Sequence, residues 1–184
     1  MSKAPLFERI AIIGIGLIGS SLAHATRVNG LAGHIAGHDA DADIRERAAA
    51  LGLVDSMHTD IADAVANADL VIAATPVGAC GDVARAISDH LAPGTIVTDV
   101  GSVKGAVIEA MAPHMPDGVH LVPGHPVAGT EHSGPEAGFA ELFRDRFSIL
   151  TPPAGANEEA VARLAEFWRA MGSDVEIMDA EHHD

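Results

Sequence analysis

Ile10-Ala11-Ile12-Ile13-Gly14-Ile15-Gly16-Leu17-Ile18-Gly19 runs from a short apolar segment into three glycines, two and then three positions apart. Four successive apolar residues closed by a glycine read as a strand buried on both faces. From Leu17 to Val28 the residues are small and apolar without proline, which reads as a helix. Between such a strand and such a helix each glycine has a task. Gly14 permits the tight turn, Gly16 has no side chain to block a pyrophosphate, and Gly19 lets helix and strand pack closely. Leu17 and Ile18 open the helix, where free N–H groups and the positive end of the helix dipole face the phosphates. The spacing predicts a dinucleotide-binding turn rather than a plain strand-to-helix connection.

The rest of the chain repeats the alternation. Further strands are predicted at residues 34–38, 54–57, 70–74, 95–100, 119–122, 147–150 and 175–178. Helices are predicted at 41–51, 60–66, 76–91, from about Lys104, and at 158–171. Pro93-Gly94 marks a turn, and residues 123–134, rich in Gly, Pro and His, read as a loop. The expected fold class is α/β: a Rossmann-type, doubly wound, mainly parallel sheet covered on both faces. No internal repeat or low-complexity tract interrupts it.

Composition narrows the partners. The 184 residues suffice for one domain with a full core, and 48% hydrophobic with 20% charged is a globular balance. Aromatics make up 3%, with no Tyr, so the core is expected to be aliphatic. A net charge of −15 repels phosphate backbones and anionic lipid, which argues against nucleic acid and membrane surfaces as partners. Cys80 is the only cysteine, which precludes an intrachain disulfide and fits a reducing compartment; its place on a helix suits a small core residue. Residues 1–8 carry no apolar run ahead of a cleavage site, and residues 10–18 are too short and Gly-rich to span a membrane. A soluble, cytoplasmic protein is expected.

Asp39 falls at the end of the second predicted strand, where a carboxylate accepts hydrogen bonds from the adenosine ribose hydroxyls. It also disfavours a 2′-phosphate, and no Arg follows before Arg45, so NAD is favoured over NADP. The rival role for Asp39 is to cap the helix expected from Asp41.

In open α/β sheets the reacting groups lie beyond the carboxyl ends of the strands. Thr75-Pro76-Val77, Asp99 to Lys104, and Gly124 to Glu131 reach that edge. His125, between Gly and Pro, has an imidazole suited to accept a proton from an alcohol while hydride leaves for a nicotinamide. Ser102 could hydrogen-bond that imidazole or the substrate, or cap a helix. Loop histidines are common among the 11 in this chain, so spacing alone leaves His125 open as a surface residue. No metal site is expected. His182, His183 and Asp184 are consecutive and diverge on strand or helix alike, and His120, His125 and His132 share no ligand register.

Residues 14–23, Asp-Val-Gly-Ser-Val-Lys (99–104), Gly-His-Pro-Val-Ala-Gly-Thr-Glu-His-Ser-Gly (124–134) and Glu-His-His-Asp (181–184) together resemble the prephenate/arogenate dehydrogenases. The resemblance implies NAD(P)-dependent oxidative decarboxylation of a small molecule, prephenate or arogenate, in tyrosine biosynthesis. It implies that His125 hydrogen-bonds and polarises the substrate 4-hydroxyl, that Ser102 positions His125 and touches both cofactor and substrate, and that Thr130 and Glu131 lie at the substrate entrance. It adds Thr75 and Pro76 to the cofactor site.

The same resemblance implies a second, helical domain that forms a homodimer and supplies a cation for the substrate carboxylates. Residues 1–178 would then be the dinucleotide-binding domain, and residues 179–184 the start of the linker to a helical domain absent from this chain. Nothing in 179–184 reads as a helix cap, and Lys104, Arg144 and Arg146 are not obvious substitutes for the missing cation. Two other readings remain: a β-hydroxyacid-type dehydrogenase, which shares this kind of first domain, and a module that senses a dinucleotide without chemistry.

Overall fold

Alternate residues of β1 (Phe7–Ile13) enter two different cores. Ile10 and Ile12 pack into one, Ala11 and Ile13 into the other. β4 (Leu70–Ala73) divides in the same way, Leu70 and Ile72 against Val71 and Ala73. Successive side chains of a strand point to opposite faces, so an unbroken apolar run demands cover on both. In the computed structural model, which describes residues 3–184, that cover is complete; Met1 and Ser2, where the expected 1–178 domain begins, lie outside the described residues.

The main sheet has six strands in the order β3-β2-β1-β4-β5-β6, every pair parallel. Beside β1 and β4 it holds β2 (Ala32–His38), β3 (Ser56–His58), β5 (Ile96–Asp99) and β6 (His120–Leu121). The chain winds from β1 to β2 and β3 on one side and resumes at β4 on the other. That reversal opens a crevice at the carboxyl ends of β1 and β4. α1 (Leu17–Val28), α2 (Ala42–Ala50), α3 (Ile61–Val65), α4 (Cys80–Ile87), α5 (Gly105–Met111) and α6 (Glu158–Ala170) complete the layers. Asp41 caps α2 through the N–H of Asp43, Asp60 caps α3, and Asn157 caps α6. Among the described residues no helix is long and apolar enough to cross a membrane.

Several expectations need correction. The core is not wholly aliphatic: Phe7, Phe143, Phe167 and Trp168 meet edge to face, with centroids 5.3–5.9 Å apart. The helix expected to run from Pro76 to Leu91 is broken. Pro76 leads into a 3-10 turn (Val77–Ala79), α4 follows, and a second turn (Ser88–His90) ends it; Gly78 and Gly81 weaken continuous helix there. The loop expected at 123–134 contains β7 (Gly124–Pro126). It pairs antiparallel with β8 (Phe147–Leu150), which pairs parallel with β9 (Asp174–Ile177) in a separate three-stranded sheet. Three residues containing a proline give no alternation to read, and the pairing partner lies more than twenty residues downstream. Residues 179–184 do carry a cap. Asp179 accepts from the N–H of His182 and starts α7 (Ala180–His183).

Candidate functional site

The glycine loop joins β1 to α1 at the crevice. Gly14 has φ +96°, and a Cβ there would stand 2.5 Å from the carbonyl oxygen of Ala74, at the end of the neighbouring strand. A Cβ on Gly19 would overlap the carbonyl of Gly14. Gly16 differs: no atom lies within 4 Å of where its Cβ would be. Its glycine keeps a surface open instead of relieving a clash. Gly16 is the N-cap of α1, with no side-chain cap and no acid in the first turn. The leading N–H groups at Leu17 and Ile18 therefore face the crevice uncompensated, as an anion-binding helix end requires.

A cavity of about 590 Å³ lies over this loop, lined among others by Gly14, Gly16, Asp39, Thr75 and Pro76. Thr75 Oγ1 is buried without a hydrogen-bond partner. Open space at Gly16, free N–H groups and an orphaned hydroxyl fit a dinucleotide with its pyrophosphate on the helix end. Asp39 is not the cap of α2, a role taken by Asp41. Its Oδ2 accepts from the N–H of Ile15 at 2.9 Å and its Oδ1 from that of Asp41 at 2.9 Å. The carboxylate thus ties the end of β2 to the glycine loop while bordering the cavity. Arg45 is turned onto the carbonyls of Asp39 and Ala40, at 2.7 and 3.2 Å.

Further along the same edge, Asp99 at the end of β5 is fully buried, as is Lys104. Lys104 Nζ donates to Asp99 Oδ2 and to the carbonyl of Gly124, both at 2.6 Å. Asp99 also accepts from the N–H groups of Gly101 (2.9 Å) and Gly124 (3.1 Å). Burial pushes the Asp99 carboxyl up and the Lys104 ammonium down, each against the pull of its partner. The pair pins the start of β7 to the end of β5, one residue before His125.

His125, half-buried on β7, lines a second cavity of about 400 Å³ with Gly129 and Arg146. Burial lowers its pKa, reinforced by His183 and Lys104 and opposed by Asp99. Its Nδ1 lies 2.9 Å from His183 Nε2. The partner on that nitrogen is therefore His183, not Ser102, which sits exposed in the β5–α5 connection. Thr130 and Glu131 are exposed in the loop beyond Gly129, outside the lining of this cavity; Thr130 Oγ1 accepts from the N–H of His132. Among the described residues no metal-binding cluster occurs.

In the sequence His183 and Asp184 were weighed only as metal ligands and Arg146 only as a poor substitute for the missing cation; the structure brings all three to His125 or its cavity. Asp179 four residues before His183 was the available signal, because an Asp opening a short polar run is an N-cap pattern. Nothing in the sequence set Arg146 apart from the other cations, and it reaches the cavity because β7 and β8 pair.

A profile of the family described as "Prephenate dehydrogenase, nucleotide-binding domain" matches residues 22–177. The chain belongs to this family. The match starts after the glycine loop, so membership rests on the later segments. The cyclohexadienyl dehydrogenase of Zymomonas mobilis is 46% identical, over 97% of this chain and 61% of its own length. The crystal structure of the Aquifex aeolicus prephenate dehydrogenase, in complex with hydroxyphenyl propionate and NAD+, superposes with a TM-score of 0.88 at 31% identity. It covers 100% of this chain and 62% of that one. The Synechocystis arogenate dehydrogenase superposes with a TM-score of 0.87 at 29% identity, over 95% of this chain and 61% of that one. The chain thus spans about three fifths of these family members.

Proposed function

We propose that this chain is the cofactor-binding half of an NAD-linked dehydrogenase that oxidatively decarboxylates prephenate, arogenate or both. The observation that carries the reading is the place of His125. It stands at the carboxyl edge that also holds the glycine loop, in a cavity bordered by a cation, Arg146.

When bound, the nicotinamide supplies the acceptor for the hydride leaving the ring carbon that bears the hydroxyl, while the ring carboxylate departs as CO2 and the ring becomes aromatic. His125 accepts the hydrogen bond of that hydroxyl, whose acidity rises as its carbon loses the hydride. Ser102 lies on the connection that the Asp99–Lys104 pair holds against β7, within the same edge, where it would touch cofactor and substrate. Thr130 and Glu131 line the approach. Gly14, Gly16, Leu17, Ile18 and Gly19 would hold the pyrophosphate and Asp39 the ribose, with Thr75 and Pro76 lining the same cavity. Alignment of donor and acceptor is the main task left to the protein.

Turnover of prephenate, arogenate and a 3-hydroxyacid, with NAD and NADP, tests the reading. The assays are run on this chain and on the chain extended by the helical region of a relative. Prephenate or arogenate should be consumed with release of CO2, faster by the extended chain. The substrate's two carboxylates meet a chain of net charge −15, with Arg146 as the cation lining the His125 cavity. Oxidation of the 3-hydroxyacid alone, or no turnover by the extended chain, overturns the reading.

Three further outcomes are expected. NAD at about 100 times its dissociation constant should add about 2.7 kcal/mol of stability, read by thermal denaturation, with a smaller effect from NADP. Asp39→Ala should weaken NAD and narrow its lead over NADP, because the ribose loses its acceptor and Ile15 loses its anchor. Equal shifts before and after the substitution would restrict Asp39 to bracing the loop. The third outcome concerns pH. Burial disfavours the His125 imidazolium, so the accepting, neutral ring persists below the ordinary imidazole value of about 6.5. The acid limb of kcat/KM should lie below that value, with His183, Lys104 and Asp99 the charged or titratable groups that shape it. A limb above it would show that another group controls activity.

A further inference from the structure

We infer that His183, oriented by Asp184, is a positioning residue that fixes the tautomer of His125 and leaves its Nε2 as the acceptor facing the substrate. The inference rests on the reading of His125 given above and adds the residues that prepare it.

Asp184 anchors the arrangement. Its Oδ1 accepts from the N–H of Lys104 at 2.9 Å and its Oδ2 from that of Gly105 at 2.8 Å. These backbone donors are the main reason its carboxyl is held down to about 2. An ionised carboxylate has no hydrogen to give. His183 Nδ1, 2.6 Å from Asp184 Oδ1, must therefore be the donor. In a neutral imidazole the second nitrogen is then a bare acceptor. That nitrogen, His183 Nε2, lies 2.9 Å from His125 Nδ1, which must carry the hydrogen. His125 Nε2 is left with its lone pair exposed on a ring that lines the cavity.

Without a partner on Nδ1, an imidazole in water prefers its hydrogen on Nε2, the tautomer that cannot accept from a hydroxyl there. The hydrogen bond on one ring nitrogen decides the state of the other. The relay is held rigidly. The His183 side chain is 6% exposed, its ring meets that of His125 edge-on at 5.1 Å, and Asp184 is fastened to the first residues of α5. In this arrangement each ring has one donor and one acceptor nitrogen. A protonated His183 would donate from both nitrogens and oblige His125 to turn its own acceptor inward.

The test is nitrogen-15 NMR of the 184-residue chain labelled in histidine, at about pH 8.5, above the ordinary imidazole range. His125 is expected with Nδ1 protonated and Nε2 bare. His183→Ala should move the hydrogen to Nε2. His183→Gln, whose Oε1 takes the acceptor's place, should keep it on Nδ1. His125 found with hydrogen on Nε2 in the unsubstituted chain overturns the inference without any variant. So does an unchanged tautomer in folded His183→Ala. In the form that turns substrate over, His183→Ala should lower kcat at least about 10-fold with little change in the KM for NAD, and His183→Gln should restore most of it. The expected tautomers combined with no turnover of prephenate or arogenate would uphold the relay and overturn the functional reading. Turnover combined with the wrong tautomer would do the reverse.

Discussion

Lys104→Met is expected to destabilise the chain by about 3–5 kcal/mol, because it leaves the Asp99 carboxylate buried without its cation. Both side chains are 0% exposed and 2.6 Å apart, so water cannot replace what is lost. The remaining donors on Asp99, the N–H groups of Gly101 and Gly124, carry no net charge. The carbonyl of Gly124 also loses the Lys104 donor that joins β7 to the buried pair. Denaturant midpoints measure the effect. Asp99→Asn combined with Lys104→Met should recover part of the loss, since removing both charges is cheaper than stranding one. A single substitution that costs less than about 1 kcal/mol would place the pair among the weakly contributing surface bridges, against its burial.

His125→Asn is expected to lower kcat by about 10²–10⁴-fold in the form of the protein that turns substrate over, the range for a positioned acid–base group. NAD affinity should hardly change, because His125 lines the cavity beside Arg146 and not the one over the glycine loop. Ser102→Ala should cost less than the histidine substitution. The structure adds a reason: the Nδ1 of His125 already has His183 as its partner. Near-normal turnover by His125→Asn would remove the imidazole from the mechanism. A Ser102 effect as large as that of His125 would mean the serine acts on substrate or cofactor directly.

The glycine loop, the paired cores and the carboxyl edge were legible in the residues because each is a local requirement. A backbone that must turn with φ +96° at Gly14, or let Gly19 touch the carbonyl of Gly14, selects glycine at that position whatever the rest of the chain does. An apolar run such as Ile10 to Ile13 states its own burial on two faces. Asp39 could be placed at the strand end from the alternation alone, although its hold on Ile15 could not.

Tertiary structure decided the partners. His125 and His183 are 58 positions apart, and their contact exists only because α7 docks on the first turn of α5. Arg146 reaches the His125 cavity because the brief strand β7 pairs with β8, whose strength lies in packing and not in any pattern of three residues. The Asp99–Lys104 pair reads in sequence as two ordinary surface charges five positions apart; only the arrival of β7 over the end of β5 buries both. Backbone conformation is fixed by neighbours in the chain. Hydrogen-bond partners, tautomers and buried charges are fixed by neighbours in space, and these turn a nucleotide fold into a candidate active site.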